Sequence, residues 1–157
     1  MSQFDVVHGS GSGGGALGNL DGTVTILNSR LIDNEAAYTG GAISLQYGST
    51  LIENSTIDGN RAQAFGAIDG AGDLTIRNSM LRGNRATAGS GGAIGVLQGT
   101  ILIEGSLIEG NYSVEAGGGL YISPNSPGTT VTVRDSRIEF NEADSATAGS
   151  LGGGLYS

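Results

Sequence analysis

The chain has 157 residues, the length of one domain. Thirty glycines with only two prolines and no cysteine exclude collagen, disulfides and thiolate metal sites. The formal net charge of −8 argues against nucleic acid as a partner, because phosphate binding needs a basic face.

Residues 1–13 are predicted to be an N-terminal cap or a flexible segment. Residues 4–7 have the composition of an imperfect first strand, and the Gly/Ser run of residues 9–13 is flexible by composition. This segment has neither the basic region nor the apolar run of a signal peptide. No stretch of the chain reaches the roughly 18 apolar residues of a membrane span.

Residues 14–157 are predicted to be a repeat domain in which two short phrases alternate. One is a Gly-rich phrase ending in Leu or Ile, as in Gly40-Gly41-Ala42-Ile43. The other is Ser-x-Leu/Ile-x-x-Asn, and its copies begin at Ser29, Ser55, Ser79, Ser106 and Ser136. The period is about 26 residues, and a fixed period in this range indicates a repeat architecture.

Each repeat contains three short strand-like segments, such as residues 42–46, 50–54 and 56–60, and none has helical spacing. Apolar residues alternate with polar ones, so stacked repeats form aliphatic columns. The predicted interior columns are Ile26, Ile52, Ile76, Ile103 and Val133; Val24, Thr50, Leu74, Ile101 and Val131; Leu31, Ile57, Leu81, Ile108 and Ile138; and Leu17, Ile43, Ile68, Ile94, Leu120 and Leu155. The sequence therefore predicts an all-β fold, a parallel β-helix of about five coils.

An asparagine ends every copy of the second phrase. We interpret these residues as a structural ladder, because Asn tolerates the left-handed backbone of a sharp corner and its amide can bond the next coil. The column is Asn34, Asn60, Asn84, Asn111 and Asn141. Glycosylation is the alternative, and within this column only Asn111 fits the acceptor pattern.

Two outward columns carry charge. In the column two residues before the serine, the sign alternates between repeats, which indicates a parallel register with weak ion pairs. The column begins with Leu27, and its charged members are Glu53, Arg77, Glu104 and Arg134. Three residues after the serine, Arg82, Glu109 and Glu139 should be adjacent, as a solvated face or as a site for a cation or a sugar.

We predict no catalytic, metal-binding or cofactor-binding residues. His8 is the only histidine and lies in the N-terminal segment, so it supports neither a catalytic triad nor a histidine metal site. The acids are scattered, whereas polysaccharide lyases and hydrolases need clustered or paired carboxylates.

The C-terminal end is the predicted contact surface. Tyr121 and Tyr156 follow successive Gly-rich phrases and should stack one coil apart, either to cover the last coils or to hold a sugar. Leu155 and Tyr156 begin a sixth coil that no capping segment covers. We therefore expect this end to contact a continuation of a longer chain or another copy, and a contact that does not close would make a filament.

The alternation of Gly-Gly-Ala-Ile with a Leu/Ile-x-x-Asn corner resembles the repeats of polymorphic outer membrane proteins. The phrases Gly117-Gly118-Gly119-Leu120-Tyr121 and Leu74-Thr75-Ile76-Arg77-Asn78-Ser79 resemble still more closely the repeats of the wider group of exported bacterial β-helix proteins. The resemblance covers residues 14–157. It implies a right-handed parallel β-helix that serves as a passenger or stalk at the cell surface and is often adhesive. We predict a non-enzymatic structural or adhesive module of the cell surface or the extracellular space. Host or matrix glycans are candidate ligands, and the alternative is a protein that binds or cleaves polysaccharide.

Overall fold

The computed structural model describes residues 4–125, 127–144 and 152–157, and their regular elements are all β-strands. Successive sets of four strands each form one coil of a solenoid. Equivalent strands of successive coils pair in parallel, so four sheets run along the solenoid axis. No helix that is long and apolar enough to cross a membrane occurs in the described residues.

Each sheet takes every fourth strand of the chain, and we number the sheets by their first strand. Sheet 1 contains β1 (Asp5–Val7), β5 (Arg30–Ile32), β9 (Thr56–Asp58), β13 (Met80–Arg82), β17 (Leu107–Glu109) and β21 (Arg137–Glu139). Sheet 2 contains β2 (Ser10–Gly13), β6 (Glu35–Thr39), β10 (Arg61–Ala62), β14 (Arg85–Ala86), β18 (Tyr112–Ser113) and β22 (Glu142–Ala143). Sheet 3 contains β3 (Leu17–Asn19), β7 (Ile43–Leu45), β11 (Ile68–Gly70), β15 (Ile94–Val96), β19 (Leu120–Ile122) and β23 (Leu155–Tyr156). Sheet 4 contains β4 (Thr23–Leu27), β8 (Ser49–Glu53), β12 (Asp73–Arg77), β16 (Thr100–Glu104) and β20 (Thr130–Arg134).

This topology confirms the predicted all-β parallel β-helix of about five coils. The structure adds a fourth strand to the three predicted for each coil. In the middle coils the added strand is only two residues long, as in β10 and β14. Two residues cannot display an alternation of apolar and polar side chains, so the sequence pattern did not reveal this strand.

The N-terminal segment differs from its prediction at the Gly/Ser run. Strand β1 pairs with β5, and β2 pairs with β6, where Ser10 lies opposite Glu35. The run predicted to be flexible is therefore a strand, because parallel pairing uses backbone groups and does not require large side chains. Residues 1–3 lie outside the described part of the chain.

The core is a narrow stack of aliphatic side chains enclosed by the four sheets. Ile52, Ile76 and Ile103 have no exposed surface, and the strand register places them in one column, as predicted. Val133 and Leu155 depart from the predicted burial, with 39% and 46% of their surface exposed. They lie on β20 and β23, the last strands of sheets 4 and 3, where no further described strand covers them.

The core assignment predicts opposite outcomes for two substitutions on neighbouring strands. Ile76→Asp should lower the free energy of unfolding by more than about 4 kcal/mol or prevent folding, because it buries an unpaired carboxylate. Glu53→Ala, on the outer surface of sheet 4, should change it by less than about 1 kcal/mol. Chemical denaturation followed by circular dichroism measures both. Equally small losses would contradict the assignment.

Candidate functional site

The corner asparagines form a ladder through the solenoid. In each rung the backbone N–H and the side-chain amide of one asparagine donate to Oδ1 of the next; from Asn60 to Asn84 the distances are 3.0 and 2.9 Å. The amide of Asn84 also donates to the Ile57 carbonyl of the preceding coil at 3.1 Å. Asn111 is buried and its amide is bonded in the same way, which argues against its glycosylation. The rungs are Asn34, Asn60, Asn84, Asn111 and Asn141.

The left-handed backbone predicted for these asparagines belongs instead to the residue before each of them. These residues have positive φ angles, and they are Asp33, Gly59, Gly83, Gly110 and Phe140. The asparagine turns inward after this bend, which is why it is buried. Phe140 stands out, because its aromatic side chain is 83% exposed in a conformation that favours glycine.

A serine ladder, which the sequence did not predict, runs beside the asparagine ladder. The Ser55 N–H donates to Ser79 Oγ, and the Ser79 N–H donates to Ser106 Oγ, each at 3.1 Å. Each hydroxyl then donates to the carbonyl two residues earlier, as Ser79 Oγ does to Arg77 O at 2.7 Å. The available signal was the return of Ser at one fixed place in all five copies. Both ladders use their polar groups within the fold rather than offering them to a ligand.

The charge-alternating column has the predicted register. Glu53, Arg77, Glu104 and Arg134 succeed one another along sheet 4. The carboxylate of Glu104 contacts Arg77 at 3.1 Å and Arg134 at 3.0 Å. Its hydrogen bond to Arg134 is the main reason that the pKa of Glu104 lies below its usual value. These exposed pairs stabilise the fold only weakly.

The proposed trio is also in register, but two of its charges are paired with residues outside it. Arg82, Glu109 and Glu139 occupy successive rungs of sheet 1. Arg82 Nε donates to Asp58 at 2.9 Å, and Arg137 donates to Glu139 at 2.7 Å. Among the residues that the structure describes, no three His, Cys, Asp or Glu side chains are grouped to hold a metal ion.

An aromatic column lies on the outer face of sheet 3. The rings of Tyr121 and Tyr156 stack with centroids 5.6 Å apart and planes within 5°. Phe65 extends the column, with its ring 6.2 Å from that of Tyr121. Phe65 stands where every other Gly-rich phrase has its first glycine, and its ring covers Gly95 so closely that an added Cβ would clash with the ring. Gly95 therefore provides the space in which the aromatic column forms.

A partly buried carboxyl group lies next to this column. Asp69 is between Ser44 and Gly95 in the register of sheet 3, and Ser44 Oγ donates to its Oδ2 at 3.4 Å. The other oxygen, Oδ1, is buried without a hydrogen-bond partner among the described residues. Burial raises the pKa of Asp69, and the neighbouring hydroxyl groups of Thr39 and Ser44 oppose this effect. The sequence did not single out Asp69, because its position reads as a solvated face.

A concave surface feature, which we call the bend groove, follows the corner between sheets 4 and 1. It is an open groove of about 570 Å³ that crosses four coils. Exposed corner residues, including Asn54 and Asn78, form one side, and the first residues of the sheet 1 strands, including Met80 and Leu107, form the other. None of the predicted contact residues Tyr121, Leu155 and Tyr156 lines it.

Asp69 gives a pH-dependent prediction. Its pKa is raised above the unfolded value of 3.8, so the folded state binds this proton more tightly than the unfolded chain does. The contribution of Asp69 to stability should therefore fall as the pH rises from the unfolded pKa through the folded one. Asp69→Asn should remove this fall and raise the free energy of unfolding at neutral pH by about 1 kcal/mol.

Thermal unfolding of wild type and Asp69→Asn over a pH series measures the difference. Asp21→Asn, at an exposed position, is the matched control and should follow the wild type. A wild type more stable than Asp69→Asn at neutral pH would contradict the argument.

The comparisons with known proteins agree with this geometry. A family model described as a right-handed β-helix region matches residues 14–156, which span the alternating phrases and the stacked coils. No curated protein and no solved structure matches the chain. The match confirms the resemblance to β-helix repeat proteins at the level of the fold. The chain therefore belongs to the family of right-handed β-helix proteins.

Proposed function

We propose that this chain is a non-enzymatic structural or adhesive module of the cell surface or the extracellular space. The observation that carries the proposal is the pairing of outward carboxylates with arginines of neighbouring coils. Asp58 pairs with Arg82, and Glu104 pairs with both Arg77 and Arg134. A general acid needs a carboxyl group whose pKa is raised, whereas the hydrogen bonds from Arg134 and Arg77 lower the pKa of Glu104.

The exported setting is proposed from composition and resemblance together. The absence of cysteine removes any dependence on the redox state of the compartment, and the net charge of −8 favours solubility. The likeness of the repeats to those of polymorphic outer membrane proteins supports a place at the cell surface. A rigid stack of coils suits a stalk or a display surface, since each coil adds the same rise and repeats the same outward positions.

The alternative, a polysaccharide-cleaving protein, rests on Asp69. A raised pKa beside an aromatic surface is a property of a catalytic acid. Glycoside hydrolases pair such an acid with a second carboxylate across the scissile bond. In this sheet, the neighbours of Asp69 in the outward column are Ser44 and Gly95, so the register favours a structural role.

The proposal predicts no release of reducing ends or unsaturated products from pectin, alginate or similar acidic glycans. Purified protein and a heat-inactivated control should give the same signal in a reducing-end assay and an ultraviolet assay. Activity above the control would reject the non-enzymatic role. Its loss in Glu109→Gln, Glu139→Gln or Asp69→Asn would then locate the reaction.

We further propose that the C-terminal coil contacts another copy or the continuation of a longer chain. Leu155 is 46% exposed and Phe140 is 83% exposed, so this end presents apolar surface. Strand β1 of a second copy, placed over β21 in the register that β5 takes with β1, would bring Asp5 beside Arg137 and Val6 beside Ile138. Opposite charges would then meet on the outside and apolar residues inside.

Light scattering over a concentration series tests this contact. We expect association that grows with concentration and weakens in Phe140→Gly. Glycine occupies the equivalent corner at Gly59, Gly83 and Gly110, so this substitution should preserve the backbone. A monomer that persists at high concentration, together with slow hydrogen exchange in the last coil, would reject self-association.

A further inference from the structure

We propose that Asn54 is an N-glycosylation site that carries one glycan at an exposed corner of the solenoid. The proposal rests on the exported setting given above, because the acceptor pattern Asn-x-Ser/Thr is used in secreted proteins. The attached group is an oligosaccharide bonded covalently to the side-chain amide.

Two asparagines of the chain fit the acceptor pattern, and burial separates them. They begin the sequences Asn54-Ser55-Thr56 and Asn111-Tyr112-Ser113. Asn111 is 1% exposed, and its amide nitrogen donates to Asn141 Oδ1 at 2.8 Å and to the Leu81 carbonyl at 3.1 Å. A sugar on this nitrogen would replace a donated hydrogen and break a rung of the asparagine ladder. The folded chain therefore leaves Asn54 as its acceptor.

Asn54 has the exposure that an acceptor needs. It lies between β8 and β9, at the corner between sheets 4 and 1, and it is exposed with a φ of 50°. Its backbone N–H donates to the Arg77 carbonyl of the next coil at 3.1 Å. The next coil therefore holds the backbone in place, while the side chain stays accessible along the bend groove.

The bend groove provides room for a bulky group beside Asn54. Glycans are attached at open surface because they are large and hydrated. The groove has a volume of about 570 Å³, and Asn54, Ser55 and Thr56 all belong to its lining. Two coils further along the same side, the corner residue is Gly105, which has no side chain. The first sugar rings can therefore lie along this corner without displacing a core residue.

The hydrogen bonds of the neighbouring residues do not involve the Asn54 side chain. The Ser55 hydroxyl donates to the Glu53 carbonyl at 2.8 Å and accepts the Ser29 N–H at 3.1 Å, as part of the serine ladder. The Thr56 N–H donates to the Ser29 carbonyl at 2.9 Å. A glycan on the Asn54 amide nitrogen interrupts none of these bonds, so the fold accommodates it.

Attachment of the glycan is a substitution at the anomeric carbon of an activated sugar. The donor is a sugar diphosphate carried by a lipid or a nucleoside. The Asn54 amide nitrogen attacks the anomeric carbon, the bond from that carbon to the phosphate oxygen breaks, and the diphosphate leaves with its electron pair. The nitrogen loses one proton to a base of the transferase, so no oxidant or reductant is needed. This chain supplies the acceptor nitrogen and the Thr56 hydroxyl of the recognised pattern.

The equivalent corner of the next coil has the same geometry but lacks the acceptor pattern. Asn78 is exposed with a φ of 46°, close to the 50° of Asn54. Met80 stands opposite Thr56 in the register of sheet 1, so the residue two places after Asn78 has no hydroxyl group. Asn78 is therefore an internal control in the wild type, and Met80→Thr should turn it into a second acceptor.

The test is secretion of the full chain from a eukaryotic host, behind a signal peptide that the host removes. Trypsin cleaves after arginine, so Asn54 lies in the peptide of residues 31–61 and Asn111 in the peptide of residues 86–134. Mass spectrometry of secreted and cell-retained chains, before and after treatment with peptide N-glycosidase, locates each glycan. Thr56→Val removes the hydroxyl and keeps the branched shape, whereas Thr56→Ser is the matched control that keeps the hydroxyl.

We expect one glycan on Asn54 in the wild type and in Thr56→Ser, and none in Thr56→Val. Met80→Thr should carry a second glycan, on Asn78. A glycan on Asn111 is expected only in the chain that the cell retains, because it prevents the asparagine ladder from forming.

An unmodified Asn54 in the wild type, a glycan that persists in Thr56→Val, or a secreted chain modified at Asn111 instead would overturn the proposal. Absence of a second glycan in Met80→Thr would contradict the exposed corner as the basis of the site. Cleavage of acidic glycans in the assay described above would reject the non-enzymatic role and leave the site intact. A bare Asn54 would reject the site and leave the structural role intact.

Discussion

Hydrogen bonding between equivalent residues of successive coils is the interaction on which the rest of this structure depends. Every coil turns sharply and buries polar backbone at its corners, and buried backbone groups must be paired. Asn84 satisfies several groups at once, because it accepts from Asn60, donates to Asn111 and reaches back to the Ile57 carbonyl. The serine ladder pairs backbone groups in the same way at the corner between sheets 4 and 1. A shift of one residue in the register between neighbouring coils would break both ladders and turn the aliphatic columns outward.

The register that the ladders impose determines what the surface presents. Each outward position becomes a column along the solenoid axis, and its chemistry follows from the residues that successive copies place there. In the outward column of sheet 4, acidic and basic residues alternate, so Glu104 forms ion pairs with Arg77 and Arg134. Departures from the repeat give the unusual features: Phe65 replaces a glycine and covers Gly95, and Phe140 replaces a glycine at an exposed corner. These departures, rather than the repeat itself, distinguish this solenoid from a uniform one.

The period and the alternation were sufficient to predict the fold, because the alternation is local and the period repeats it in every coil. The column of Ile52, Ile76 and Ile103 lies where the pattern places it. The left-handed backbone conformation was predicted for the asparagines, but it belongs to the residue before each of them. The asparagine recurs in every copy, whereas the residue at the bend is Asp33, Phe140 or a glycine.

The contact of Phe65 with Gly95 and the burial of Asp69 were beyond prediction. Both features involve residues of neighbouring coils that are about 25 to 30 positions apart in the sequence. They depend on the direction and the burial of side chains rather than on a sequence pattern. The bend groove was missed for a similar reason. Its lining residues are ordinary surface residues one by one, and only the angle between sheets 4 and 1 brings them together.

The measurement that tests this account most directly is the free energy of unfolding of Asn84→Ala against Asn78→Gly. Removing the Asn84 amide leaves buried partners on both sides without hydrogen bonds, so we predict a loss of more than about 3 kcal/mol. Asn78 is exposed and its corner accepts glycine, so Asn78→Gly should lose less than about 1 kcal/mol. Equal losses, or a loss below about 1 kcal/mol for Asn84→Ala, would contradict the claim that the ladder holds the coils in register.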